Sequence, residues 1–221
     1  MTGTRLYDQV FLTGCDARTE WMLPWFFARY KKFNKTPIFF ANFGVSETGL
    51  NYVSAMCHEF IDLTATKDKG WFKKPTAIIE ATKRAHKVCW LDTDCEILAD
   101  LSGVFEFTAP GKLAMVEDKP WTKRRGETWH NTGVVAVEDQ PVILKQWADA
   151  VRQNPNVGDQ EVLHMILRQD LRRVTYVNDV PPEYNWVRLQ LVDGQDNKKK
   201  KVMHWTGAKG KDHIKRESLY G

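Results

Sequence analysis

Short apolar runs alternate with longer stretches of helical spacing along the first half of the chain. Asp8 to Thr13 (DQVFLT) is a strand-length run closed by Gly14, and Thr19 to Phe33 is aromatic and helix-length, with Pro24 tolerable near its first turn. Pro37 to Asn42 (PIFFAN) predicts a second strand, Ser46 to His58 a second helix and Glu59 to Leu63 a third strand. Pro75 suits the first turn of a further helix through Ile78, Ile79, Ala81, Thr82 and Ala85, its last turn carrying Lys83, Arg84 and Lys87. That helix delivers the chain into a strand at Val88 to Leu91. Strands alternating with helices imply a mostly parallel sheet with right-handed crossovers and a ligand site at the strands' carboxyl ends. Asp92 and Asp94 stand at such an end.

The second half is less regular. Leu113 to Glu117 and Gly133 to Val137 read as strands, Val142 to Arg152 and Asp159 to Gln169 as helices, and Val174 to Asn178 as another strand. Lys119 to Trp129, rich in Lys, Arg and Gly, predicts an exposed loop. Val192 to Lys201, ending in four consecutive lysines, predicts a solvated or disordered one. No internal repeat is present. The expectation is an α/β fold: one domain over 1–221, with a mixed, mostly parallel central sheet flanked by helices.

At 221 residues and 43% hydrophobic content the chain can bury one sizeable core. A net charge of +4 favours an anionic ligand, yet acidic residues are too plentiful for a nucleic-acid footprint. Cys15, Cys57, Cys89 and Cys95 show no CxxC spacing and read as reduced structural residues. Met1 to Asp8 is polar, and no apolar stretch approaches the roughly 18 residues of a membrane span, so a cytoplasmic location is expected.

Cys89-Trp90-Leu91-Asp92-Thr93-Asp94 places two carboxylates one residue apart after an apolar run. On a strand they would share a face, and each would raise the other's pKa unless a cation lay between them. A hard divalent ion with oxygen ligands, Mn²⁺ or Mg²⁺, fits that need and commonly brings phosphate with it. Near the C-terminus, Val202-Met203-His204-Trp205-Thr206-Gly207-Ala208-Lys209-Gly210-Lys211 combines an imidazole that could complete a metal site with glycines and lysines suited to phosphate. His130-Asn131-Thr132-Gly133 offers polar groups to sugar hydroxyls, or is a polar turn entering a strand. Gly158-Asp159-Gln160-Glu161 offers a carboxylate to a reaction centre, or is a helix N-terminus with acidic first-turn residues; both can hold together.

Taken in order, Gly14-Cys15-Asp16, Leu91-Asp92-Thr93-Asp94, Ile97-Leu98-Ala99-Asp100-Leu101, Asn131-Thr132-Gly133, Asp159-Gln160, Pro181 to Trp186 and His204-Trp205-Thr206-Gly207 resemble the GT-A glycosyltransferases, closest to the glycogenin and lipopolysaccharide galactosyltransferase family. The resemblance covers roughly residues 8 to 211. It implies that Asp92, Asp94 and His204 hold a divalent metal on the diphosphate of a nucleotide-sugar. Thr13, Gly14 and Asp16 would lie by the base, Thr93 by the ribose, Lys74 by the donor sugar or phosphate, and Gly207 by the diphosphate. Asn131, Asp159 and Gln160 match positions contacting the transferred sugar, where Asp159 would either deprotonate an acceptor hydroxyl or stabilise positive charge at the anomeric carbon. Residues 8–100 would bind the nucleotide and 101–221 the sugar and acceptor. The lysine that the family usually places six positions after the histidine falls on Gly210 here, bracketed by Lys209 and Lys211. The implied activity is transfer from a nucleoside diphosphate sugar, with uridine as the base, to a glycan or glycoprotein acceptor. The chain is short for the family, which suggests a minimal catalytic domain or one module of a longer polypeptide.

Two other readings compete. A nucleotidyltransferase shares the layout and the aspartate pair, but calls for a Gly-rich, basic loop after the first strand, where this chain has Gly14-Cys15-Asp16-Ala17. A nucleic-acid-binding module would use Lys123-Arg124-Arg125 and Lys198 to Lys201 with the tryptophans, although Trp25 and Trp90 sit in apolar runs that suit a core.

Overall fold

Strand β1 (Tyr7–Cys15) is buried from Val10 onward, and a turn of 3-10 helix (Glu20–Met22) leads from it into helix α1 (Leu23–Phe33). These come from a computed structural model of the chain, which describes residues 5–68, 70–196 and 199–220. Residues 1–4 of the polar start and Lys198 of the lysine run lie outside the described residues. Next come β2 (Ile38–Asn42), α2 (Glu47–Ser54) and β3 (Glu59–Asp62), giving the expected βαβαβ order. Ser46 caps α2 by accepting a hydrogen bond from the Gly49 amide at 3.1 Å.

Helix α3 (Lys74–Thr82) has Pro75 in its first turn, as expected, but stops before Lys83. The reason is that β4 (Ala85–Leu91) begins pairing with β1 at Ala85, opposite Tyr7. Lys87 therefore lies in a strand rather than in a helix's last turn. Strand β5 (Cys95–Ile97), β6 (Leu113–Glu117), helix α4 (Lys119–Arg125) and β7 (His130–Glu138) follow. Helix α4 replaces the expected loop. Asp118 caps it, Pro120 sits in its first turn and Gly126, at φ 71°, ends it, so the segment carries a helix's start and stop signals despite its polarity.

The remainder comprises α5 (Val142–Gln153), α6 (Asp159–Leu167), α7 (Asp170–Tyr176), β8 (Val177–Asp179), β9 (Trp186–Val187), α8 (Arg188–Val192), β10 (Val202–His204) and α9 (Gly207–Tyr220). Val174 to Tyr176 finish α7 rather than begin a strand, since pairing with β6 starts only at Val177. The glycine- and lysine-bearing segment after His204 is helical.

The main sheet has seven strands in the order β3-β2-β1-β4-β7-β6-β8, and only β7 runs against its neighbours. Side chains on its two faces separate the core. Val10, Leu12, Val88 and Trp90 pack with Ile78 of α3, Trp147 of α5 and Leu163 of α6, whereas Phe11, Cys89 and Leu91 pack with Phe26 of α1 and Ile97 of β5. Both faces being covered explains why these strands are apolar throughout. Strand order reverses between β1 and β4, which opens a crevice beyond their carboxyl ends. A small sheet, β5-β10-β9, lies beside it. No helix among the described residues is long and apolar enough to cross a membrane. All four cysteines are unpaired.

Candidate active site

The two aspartates reach the crevice by a turn, not along a strand. Strand β4 ends at Leu91, the Cys95 amide donates to the Asp92 carbonyl at 3.0 Å, and Asp94 sits within the turn so closed. The strand-face expectation is thereby corrected. Each carboxylate also has its own cation. Lys74 Nζ lies 3.0 Å from Asp92 Oδ1 and 3.2 Å from Oδ2, while His204 Nε2 lies 3.1 Å from Asp94 Oδ1 and 3.8 Å from Asp92 Oδ2.

His204 arrives through strand pairing, because it stands directly opposite Cys95 in the β5–β10 ladder. A polar chain then fixes its ring. The Gly133 amide donates to Asn131 Oδ1 at 2.8 Å, which settles the orientation of that side-chain amide, and Asn131 Nδ2 donates to Asp118 at 3.0 Å. His204 Nδ1 consequently faces two amide oxygens, those of Asn131 and Asn185, each at 3.1 Å, so it carries a proton and donates. In the neutral ring this leaves the Nε2 lone pair aimed at Asp94 and Asp92. Outer partners commonly hold a metal-binding histidine in just such a tautomer. Gly133 is required too: a Cβ there would stand 2.1 Å from the imidazole Cε1.

Electrostatics divide the three groups. Burial would lower the His204 pKa, but Asp94 in contact and Asp92 nearby hold it above the ordinary value. Burial also works against an ionised Asp94, and His204 outweighs it to bring that carboxyl below the usual range. Asp92 goes the other way, raised by burial and by Asp94 beyond what Lys74 offsets. The aspartates are thus unequal. Trp90 Nε1 donates to Asp92 at 2.6 Å, adding a third restraint on the carboxylate that α3 already grips.

Lys74 is 2% exposed and joins the two halves of the site, for its ammonium also lies 3.0 Å from Asp159 Oδ2 and donates to the Thr132 carbonyl at 3.0 Å. Burial opposes its charge, yet Asp159 and Asp92 together keep its pKa above the usual lysine value. Asp159 sits at the first position of α6, where the helix dipole also favours a carboxylate, and accepts from the Thr132 hydroxyl at 3.0 Å. Gln160 is held by Asp118, to which its Nε2 donates at 3.1 Å.

A cleft of ≈ 600 Å³ runs past these groups, and Gly14, Asp16, Lys74, Thr93, Asn131, Asp159, Gln160, Gly207 and Lys211 all line it together with Asp92, Asp94 and His204. Thr13 does not reach it. Its hydroxyl is spent beneath the floor on the Leu91 carbonyl at 2.8 Å. Lys209 does not line the cleft but an adjoining surface with Asp212, Lys215 and Arg216. Gly210, where the family pattern places a lysine, is buried with the Trp205 carbonyl oxygen 2.0 Å from where a Cβ would stand, so no side chain fits. Lys211 is the neighbouring cation that faces the cleft. Asp118, Asn185 and Trp90 have no site role in the sequence reading, although Asn185 falls within the Pro181 to Trp186 motif and Asp118 directly follows Glu117 at the end of β6.

No protein-family model matches this chain, nor does any curated protein. Solved structures do. A crystal structure of the galactosyltransferase LgtC in complex with donor and acceptor sugar analogs aligns over 95% of this chain and 94% of that one, at TM-score 0.64 and 14% identity. The glycosyltransferase GlyE of Streptococcus pneumoniae TIGR4 aligns over 91% of this chain and 55% of its own, at TM-score 0.69 and 18% identity. The bifunctional glycosyltransferase WbbM aligns over 94% of this chain and 47% of its own, at TM-score 0.58 and 13% identity. The chain has the GT-A fold of these proteins, and it spans about half the length of GlyE and WbbM.

Proposed function

We propose that this protein is a glycosyltransferase that moves a sugar from a nucleoside diphosphate sugar, a UDP-sugar, to a hydroxyl of a glycan or glycoprotein acceptor with the help of Mn²⁺ or Mg²⁺. The observation that carries this reading is the orientation of His204. Amide oxygens fix its Nδ1 proton, and its Nε2 points at two carboxylates beside the crevice where the strand order reverses. That donor set of two carboxylates and one imidazole suits a divalent cation, so Asp92, Asp94 and His204 would hold it. When bound, the ion would act as a Lewis acid on the departing diphosphate.

The remaining roles belong to the chain itself. Lys211 supports the diphosphate from the cleft wall, and Gly14, which packs on Ala41 of β2 with no room for a side chain, lines the cleft beside Asp16. Asp16 and Thr93 line the nucleotide's end of the cleft. Asp159, engaged through one oxygen by both Lys74 and Thr132, is held in place to stabilise positive charge at the anomeric carbon. Asn131 and Gln160 present a rigid polar wall to the transferred sugar. Residues 8–100 carry most of the nucleotide side and 101–221 the sugar side, within one catalytic domain. Structural comparison with glycosyltransferases supports this assignment over a nucleotidyltransferase, and buried Trp25, Trp90, Trp147 and Trp186 favour a core role over base stacking.

Calorimetry with UDP, with and without Mn²⁺, tests the reading. Binding that needs the metal in the native protein should vanish in the Asp92→Ala plus Asp94→Ala variant. Undiminished metal-dependent binding by that variant would overturn the site.

A further inference from the structure

Helix α9 presents Lys211 and Lys215, one turn apart, to the cleft. Its opposite side carries His213, Ile214 and Glu217, of which Ile214 is fully buried. There a closed ring of contacts ties α9 to the strands that carry the site. Arg29 of α1 donates from Nη2 to Glu217 Oε2 at 2.6 Å and from Nε to Glu96 Oε1 at 3.2 Å, while Trp25 Nε1 donates to Glu217 Oε2 at 2.9 Å. Trp205 Nε1 donates to Glu96 Oε2 at 2.8 Å, and the His213 ring stacks on Trp205 at 3.6 Å. Glu96, His213 and Glu217 have the composition of a cation site. The Arg29 guanidinium, already bonded to both carboxylates, supplies the positive charge there instead.

The ring's placement gives it a task. Glu96 follows Asp94 by two residues in β5, and Trp205 follows His204 directly, so the ring grips α9 and the metal-site strands at once. Besides the ring, α9 is anchored by buried Ile214, which shares a core cluster with Cys95 and Ile97, and by the connection through Thr206 and Gly207, whose φ of 74° marks a sharp turn into the helix. Ile214 holds the helix on the core, and the ring adds the polar contacts that tie it to the strands bearing Asp94 and His204.

We infer that Arg29, remote from the reacting atoms, is a positioning residue: bridging Glu96 and Glu217, it holds α9 so that Lys211 meets the donor diphosphate. This rests on the nucleotide-sugar reading above. It predicts that Arg29→Ala weakens UDP binding about tenfold in the presence of Mn²⁺, the low end of what losing an outer-shell partner costs a ligand site. Glu217→Gln, which keeps the side chain's volume, should act the same way, and Arg29→Lys should restore part of the loss. Amide hydrogen exchange across residues 207–217 should quicken in Arg29→Ala while β1 and β4 stay protected. In a Lys211→Ala background the Arg29→Ala change should cost little further, because both act through one contact. Independent, additive losses would overturn the inference, as would unchanged UDP binding in both Arg29→Ala and Glu217→Gln. Wild-type protein that fails to bind UDP at all would overturn the nucleotide-sugar reading, and this inference with it.

Discussion

The cleft has two positively charged flanks built on opposite principles. On the deep flank Lys74 is 2% exposed and locked among Asp92, Asp159 and Thr132, its charge desolvated and matched when the chain folds. On the outer flank Lys211 and Lys215 ride on the terminal helix, partly in water, and depend on a ring of contacts on the helix's far side. A buried charge with fixed partners needs no reorganisation when a ligand arrives, which suits groups at the reacting centre. A partly solvated charge on a helix keeps its hydrogen-bonding capacity free for an incoming anion.

The sharpest way to break the contrast is to remove the deep cation. Lys74→Met leaves Asp92 and Asp159 facing each other without it, and the fold should lose about 3–5 kcal/mol in urea unfolding, as when one partner of a buried ion pair is deleted. A loss below about 1 kcal/mol would mean that Lys74 is no more than a surface cation. A smaller effect concerns protons. A divalent ion needs neutral His204, whose proton is held to higher pH than an ordinary imidazole's, so Mn²⁺ affinity should rise with pH until that raised pKa is passed and then level off. Proton release on Mn²⁺ binding, measured in buffers of different ionisation heat, checks the sign. The same profile in His204→Asn would remove the imidazole from the account. The smallest effect separates the outer lysines: Lys211→Ala should weaken UDP binding about tenfold, no less than Arg29→Ala, and Lys209→Ala leave it unchanged, and equal losses would contradict the orientation of α9.

Much of the fold can be read from the chain because its parallel strands are buried on both faces and so appear as uninterrupted apolar runs, PIFFAN above all. Helix α4 could not be read by composition: Lys123, Arg124 and Arg125 look like loop residues until Asp118, Pro120 and Gly126 are recognised as cap, start and stop. The aspartate pair was visible as a metal signal, but its geometry was not, since a turn takes the place of the strand face. Likewise, Asn131 was visible as a candidate site residue and does line the cleft, whereas its bond to His204 depends on a 73-residue separation that no local pattern encodes. Spacing misled at Gly210, where the limit is the Trp205 carbonyl rather than any count along the sequence.

Lys74 and His204 bear on the order of events in the protein's life. Many small metal sites leave mutually repelling ligands in the bare chain, so that such domains collapse only around their ion. Here both aspartates already have counter-charges drawn from the polypeptide. Folding therefore need not wait for an ion, and on the proposed reading a chelator should abolish UDP binding without lowering the melting temperature.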